Sequence, residues 1–244
     1  MKGNILIMSE IIFSEKIEKY LTNDMNVCVE DLTNKILTDV SESKSLFNEF
    51  LELMIDLDIP YEYKDKLSHE NNRKNRDFIN ESFTKFIKDK GLPTCPSESK
   101  EYFILDNIRH AFINFKQGGL LSMYQGREAE CWYPKVVINS FIGDFDDIES
   151  LSEPIIVYRG TSKDEYNSKN FGQSWTLSEE IANEFAFEHY SSQLEYRDTL
   201  RVILKGEISK EFVLYYSKDN NEEEIIIIPE HIKCVEVIEE AKIE

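Results

Sequence analysis

The chain has 244 residues, enough for one large domain or two modest ones, and its 41% hydrophobic content, with 15 Phe and 12 Tyr, suits a packed core rather than a disordered chain. A net charge of −19 disfavours a free polyanion as partner, because phosphate binding needs local cations and long-range repulsion slows encounter. The acidity is shared: 18 basic and 27 acidic residues fall in residues 1–150, and 10 and 20 in residues 151–244, with no basic run in either part.

Cys28, Cys95, Cys131 and Cys234 lie far apart, with neither the C-x-x-C spacing of a zinc site nor a disulfide framework, and are expected to be scattered buried thiols of a cytosolic protein. No apolar stretch reaches the roughly 20 residues needed to cross a bilayer. Met1 to Phe13 is mildly hydrophobic but lacks the basic region and small-residue cleavage site of a signal peptide, so it reads as the start of a first helix.

Apolar residues up to about residue 150 recur at helical spacing. Ile5 to Leu21 places Met8, Ile11, Ile12 and Tyr20 among charges, and Leu46, Phe50, Leu53, Met54 and Leu57 trace a second stripe that Ile59-Pro60 stops. Residues 61–76, rich in Asn, Lys, Arg and His, read as an exposed loop. Phe78 to Lys90 is a helix ending at Gly91 with Pro93 beyond, and Ser97 to Phe115 is another, closed by Gly118-Gly119. Asp144 to Pro154, short and acidic, is the boundary, dividing a mainly helical region (residues 1–150) from a second domain (residues 151–244).

The second part is strand-like. Pro154 to Gly160 is a β-branched run closed by a Gly, Thr199 to Ser209 alternates around Val202 and Leu204, and Phe212 to Tyr216 follows before the turn-rich Ser217 to Asn221. Ile225 to Ile228 is long enough for a strand and too short for a helix, and Ile232 to Ile238 supplies a last strand. Between them, Thr176-Leu177-Ser178-Glu179 fits a capping box opening a helix with Ile181, Ala182, Phe185, Ala186 and His189 on one face. The order does not repeat a βαβ unit, which argues against a Rossmann fold and for an α+β class.

Three short motifs stand at the edges of these strands in one order: Tyr158-Arg159-Gly160, Ser174-Trp175-Thr176 and Glu222-Glu223-Glu224. Their order and context resemble the arginine–serine–glutamate class of mono-ADP-ribosyltransferases, found in bacterial toxins, phage enzymes and vertebrate ecto-enzymes. The resemblance covers roughly residues 153–241 and implies a split β-sheet domain that takes NAD+ as substrate and needs no metal.

The resemblance implies roles for particular residues. Glu224 stabilises the positive charge that develops on ribose as the nicotinamide bond breaks, as carboxylates do in glycoside hydrolysis. Glu222, placed by strand period on the same side as Glu224, orients or deprotonates an incoming nucleophile. Arg159 offers its planar fork to the diphosphate or ribose of NAD, Gly160 lets the backbone approach nicotinamide, and Ser174 braces Glu224. Thr176 shares that duty or serves as a cap, and Tyr158 belongs to the NAD-binding motif. Tyr166, Phe171 and Phe185 are candidates to stack on nicotinamide, with Phe185 the more core-like. The family's serine motif is often Ser-Thr-Ser, and here Trp175 takes the middle position.

The implied acceptor is a macromolecule, protein arginine before RNA, and the implied setting is a cytoplasmic bacterial or phage toxin or effector with a neutralising antitoxin as possible partner and no membrane. Depletion of NAD by hydrolysis and a non-catalytic binding module are the alternatives. His69, His110, His189 and His231 form no metal-spaced pair, and His189 on the inner helix face reads as structural. Asp144-Phe145-Asp146-Asp147 lacks the Gly and terminal Glu of an EF-hand loop, and no phosphate-binding G-x-x-x-x-G-K-[ST] occurs.

Overall fold

The structure, a computed structural model, describes residues 13–63, 69–95, 98–126, 133–142, 145–189 and 198–242. The chain forms two compact units, Met1–Val137 and Ile138–Glu244. The division falls ahead of the change of period near residue 150, so helix α6 belongs with the strands.

The first unit is mainly helical where described: α1 (Glu15–Lys19), α2 (Val29–Val40), α3 (Lys44–Asp56), α4 (His69–Asp89) and α5 (Lys100–Gln125), with one antiparallel bridge between Val27 and Val136. Ser14 caps α1 by accepting a hydrogen bond from Ile17 N, and a π-helical turn over Tyr20–Asp24 continues it. Met1 to Ile12, the hydrophobic run before Phe13, lies outside the described residues. Helix α3 buries Phe47, Phe50, Leu51 and Met54, and ends at Asp56 with Leu57 already extended, ahead of Ile59, the residue that Pro60 restricts.

One expectation for this unit is corrected and one is met. Residues 69–76 are helical rather than loop. The buried face of α4 runs Asn75, Ile79, Phe83, Ile87, so the helical repeat begins at a polar residue that a search for apolar positions passes over. A Lys74–Glu70 ion pair one turn apart supports the same stretch from outside. Gly118-Gly119 closes the first part of α5 as the sequence predicts: Gly119, at φ 73° and ψ −157°, breaks the helix, and a second helical segment follows with Met123 and Tyr124 buried.

The second unit contains α6 (Phe145–Glu149), β1 (Ile155–Ser162), α7 (Lys163–Ser168), β2 (Ser174–Thr176), α8 (Glu179–Asn183), β3 (Leu200–Ile208), β4 (Val213–Tyr216), β5 (Glu224–Ile227) and β6 (Lys233–Lys242). The class is α+β, with an antiparallel sheet after the helices. All six strands hydrogen-bond in one sheet of order β4-β5-β2-β1-β3-β6. Its two three-stranded halves meet through a single β1–β2 pair, Tyr158 opposite Thr176, whereas β1 and β3 pair along eight positions from Ile155–Ile208 to Ser162–Arg201.

Strand alternation explains the core. Ile155, Val157, Val202, Leu204, Ile225 and Ile227 gather with Trp175 on one face of the sheet. Ile203, from the opposite face, packs with Ala182 and Ala186 of the helical segment. All four residues of β5 are buried, on both faces, which is why Ile225–Ile227 read as an apolar run after Glu224.

Candidate functional site

Strands β1, β2 and β5 are sheet neighbours, and they bring Arg159, Ser174 and Glu224 together. The β2–β5 register sets Thr176 opposite Glu224 and Ser174 opposite Ile226. Ser174 Oγ donates to Glu224 Oε1 at 2.7 Å, and Arg159 Nη1 donates to the Ser174 carbonyl at 2.6 Å. Glu224 is buried, at 8% exposure, although it is a carboxylate at the start of a strand. An exposed turn thus leads directly into a largely desolvated acid that keeps a hydroxyl donor, an arrangement suited to stabilising a neighbouring cation.

Strand β2 is only three residues long and is held by side chains at both ends. Gln173 clamps Ile138, accepting from its N–H (2.9 Å) and donating to its carbonyl (2.7 Å), while the Gln173 carbonyl accepts from Ile227 N. Trp175 is buried, and its Nε1 donates to the Gly172 carbonyl at 3.0 Å. The bulky middle residue of the serine motif therefore faces the core. At the other end Thr176 Oγ1 donates to the Glu222 carbonyl (2.8 Å) and accepts from Ser178 N (3.1 Å).

The helix after β2 starts two residues later than the capping-box reading places it. Ser178 is the cap, accepting from Ile181 N at 3.2 Å, because Thr176 belongs to the sheet. Residues Glu184–Glu188 make a π-helical turn in which His189 N reaches back to the Glu184 carbonyl. Ala182, ahead of the turn, and Ala186, within it, are buried, and the extra residue rotates the positions that follow, so His189 is exposed rather than on the inner face. Buried Arg201 of β3 holds the turn, donating to the carbonyls of Ala186 (3.0 Å) and Phe185 (2.9 Å).

Glu222 and Glu224 do not share the face of an extended segment. Glu223 has φ 48°, Glu222 N donates to Asn220 Oδ1, and Glu223 N to the Asn220 carbonyl. The Asn220 side chain closes a turn that competes with the strand, so period-2 extrapolation fails upstream of Glu224. Glu222 is exposed in that turn.

Gly160 is required by packing of the protein on itself. A Cβ there lies 2.2 Å from the Ala182 carbonyl and 2.4 Å from Ala186 N, so helix α8 and the π turn press on β1 at this position. Tyr158 packs partly buried against Ala182, Ala186 and Ile203. The three candidate stacking rings all have intramolecular partners. Lys169 Nζ sits 3.4 Å from the Tyr166 ring centroid, Phe171 meets Trp175 edge-on at 6.0 Å, and Phe185 meets His189 at 4.5 Å.

The Arg159 guanidinium points inward. Its Nε donates to Glu165 Oε1 at 2.8 Å and its Nη2 to Glu165 Oε2 at 3.1 Å, a bidentate fork, while Nη1 takes the Ser174 carbonyl. Thr161 Oγ1 and Gly172 N also donate to Glu165. Burial raises the pKa of Glu165, but the Arg159 charge and the hydrogen bonds from Arg159, Thr161 and Gly172 outweigh it and lower the value from 4.5 to about 2. Glu165 is absent from the motif reading. The signal available was Ser162-x-x-Glu165: Ser162 caps α7 by accepting from Glu165 N, which places Glu165 in the first turn beside β1.

Among the described residues no three His, Cys, Asp or Glu side chains group to hold a metal, and no helix is long and apolar enough to cross a membrane. Of the acidic run, Asp144 lies outside the described residues, and Asp147 pairs with Lys218 Nζ at 3.1 Å. Cys28, Cys95 and Cys234 form no disulfide, and none is buried as expected: Cys28 and Cys95 are partly exposed, Cys28 at the start of α2 and Cys95 in the loop ahead of α5, and Cys234 is exposed on β6, while Cys131 lies outside the described residues. No protein-family model, curated protein or solved structure matches this chain.

Proposed function

We propose that this chain is an NAD-dependent mono-ADP-ribosyltransferase of the arginine–serine–glutamate class, with its site on β1, β2 and β5. The observation that carries the reading is the 2.7 Å bond from Ser174 to a buried Glu224, joined through the Ser174 backbone to Arg159. Three motifs far apart in the chain converge on adjacent strands in a geometry that serves one chemistry. The antiparallel order, with two halves joined at β1–β2, supports a split-sheet transferase domain.

In the reaction the bond between ribose C1′ and the nicotinamide nitrogen breaks, and its electron pair leaves with nicotinamide. Positive charge develops on the ribose. Glu224 faces that charge as a carboxylate, in a setting where water screens it little, and Ser174 restricts its rotation. An acceptor nucleophile then bonds to C1′ and gives up a proton. By the resemblance alone, Glu222, exposed in the turn before Glu224, receives it from a protein side chain such as arginine.

The setting that follows is a toxin or effector acting on a macromolecule in the cytoplasm, with an antitoxin as natural partner. Isotopic NAD added to cell lysate tests the reading, with protein and RNA fractions analysed separately by mass spectrometry. Label on protein supports transfer to protein and label on RNA reassigns the acceptor. Free ADP-ribose alone makes the chain an NAD hydrolase, and intact NAD overturns the reading.

A further inference from the structure

We infer that Glu165 is a positioning residue of the site: it fixes Arg159, and through Arg159 the strand that presents Ser174 to Glu224. The catalytic consequence rests on the transferase reading; the positional relationship does not.

A carboxylate offers about four acceptor positions. Glu165 receives four donors, Arg159 Nε and Gly172 N on Oε1, and Arg159 Nη2 and Thr161 Oγ1 on Oε2. It is filled, so neither proton transfer nor substrate binding is open to it in this arrangement. Its donors come from β1 (Arg159, Thr161) and from Gly172, just ahead of β2, while Glu165 itself sits on α7 between them in sequence. One side chain therefore ties together three segments that the single β1–β2 residue pair joins weakly.

The tie continues to Glu224. Both nitrogens on one side of the Arg159 fork are committed to Glu165, and this orientation aims Nη1 at the Ser174 carbonyl. The same residue carries the hydroxyl that reaches Glu224. A Cβ on Gly172 lies 2.5 Å from Arg159 Nη2, so the loop is shaped around the guanidinium. Arg159 thus acts inward on the catalytic strand. Its loss of position is expected to appear in the chemical step, whereas a diphosphate-binding arginine would show its loss in the affinity for NAD.

The test uses the full chain carrying Glu165→Gln, which keeps shape and removes charge. The expected result is a fall in kcat of about ten- to a hundredfold, the effect of a displacement near 1 Å at the site, with KM for NAD changed less than about threefold. Glu165→Asp is expected to recover part of kcat. Wild-type kcat in Glu165→Gln overturns the proposal, as does a loss confined to KM.

If the wild-type chain leaves NAD intact, the transferase reading fails, and crystal structures of wild type and variant decide the positional claim. A Ser174 Oγ–Glu224 distance unchanged in Glu165→Gln overturns it, and a broken or lengthened one supports it. Should a melting curve show Glu165→Gln unfolded, Thr161→Val, which removes one donor and keeps the volume, is read by the same two measurements.

Discussion

Ser174 Oγ meets Glu224 Oε1 at 2.7 Å across fifty positions of sequence because β2 and β5 are antiparallel neighbours with Thr176 opposite Glu224. Ser174→Ala removes this donor from a buried carboxylate. Loss of one preorganised hydrogen bond at a catalytic charge costs about 10²-fold in kcat, whereas Glu224→Ala, which removes the charge itself, is expected to abolish NAD cleavage. Steady-state kinetics with isotopic NAD checks both. Turnover by Glu224→Ala equal to wild type contradicts the site assignment.

The Arg159–Glu165 pair makes stability depend on pH in a defined window. Glu165 titrates at about 2 in the folded protein against 4.5 unperturbed. A depressed carboxylate pKa stabilises the fold above the unfolded value, and the contribution is lost as pH falls from about 4.5 to about 2. The side chains are 22% and 17% exposed, so the shift corresponds to on the order of 3 kcal/mol at neutral pH. Denaturant unfolding of wild type and Glu165→Gln between pH 7 and 3 checks it. The stability difference is expected to narrow below pH 4.5, and a constant difference is the contrary result.

Gly160→Ala is expected to destabilise the second unit strongly. The added methyl meets backbone atoms of Ala182 and Ala186 at 2.2 to 2.9 Å, and neither can give way without lifting α8 and the π turn from β1. Overpacking of this kind costs about 3 kcal/mol. Chemical denaturation reads the loss directly, and unchanged stability would show that the helical segment can move away from the strand.

The elements of the second unit were legible because their signals are local. The Ile225–Ile228 run, the alternation around Val202 and Leu204, and the order of the three motifs require only strand period and burial. What was not legible depends on partners distant in sequence. Glu165 reads as a capping residue until β1 places Arg159 beside it, and Gly160 reads as a concession to ligand until α8 lies on it. The turn at Asn220 and the π turn at Glu184–Glu188 each displace a side chain that a regular period puts elsewhere, Glu222 in one case and His189 in the other. Asn75, polar yet buried, hides the first turns of α4 for a different reason: apolar spacing marks a buried helix face only where the residues on it are apolar.

Gly172→Ala separates packing from positioning. Its Cβ lies 2.5 Å from Nη2 and 2.9 Å from Cζ of Arg159, the far end of a long side chain rather than backbone. The guanidinium can therefore shift where the backbone beside Gly160 cannot, and the stability loss is expected to be smaller, about 1 kcal/mol. The shift is nonetheless aimed at the fork that Glu165 holds and at the donor to the Ser174 carbonyl. Activity is accordingly expected to fall about tenfold or more, in kcat rather than KM, while the melting temperature moves little. Gly160→Ala should show the reverse balance at assay temperatures where it remains folded. If Gly172→Ala instead keeps full kcat, Arg159 tolerates displacement, and the route from Glu165 through Arg159 to Ser174 carries no catalytic weight.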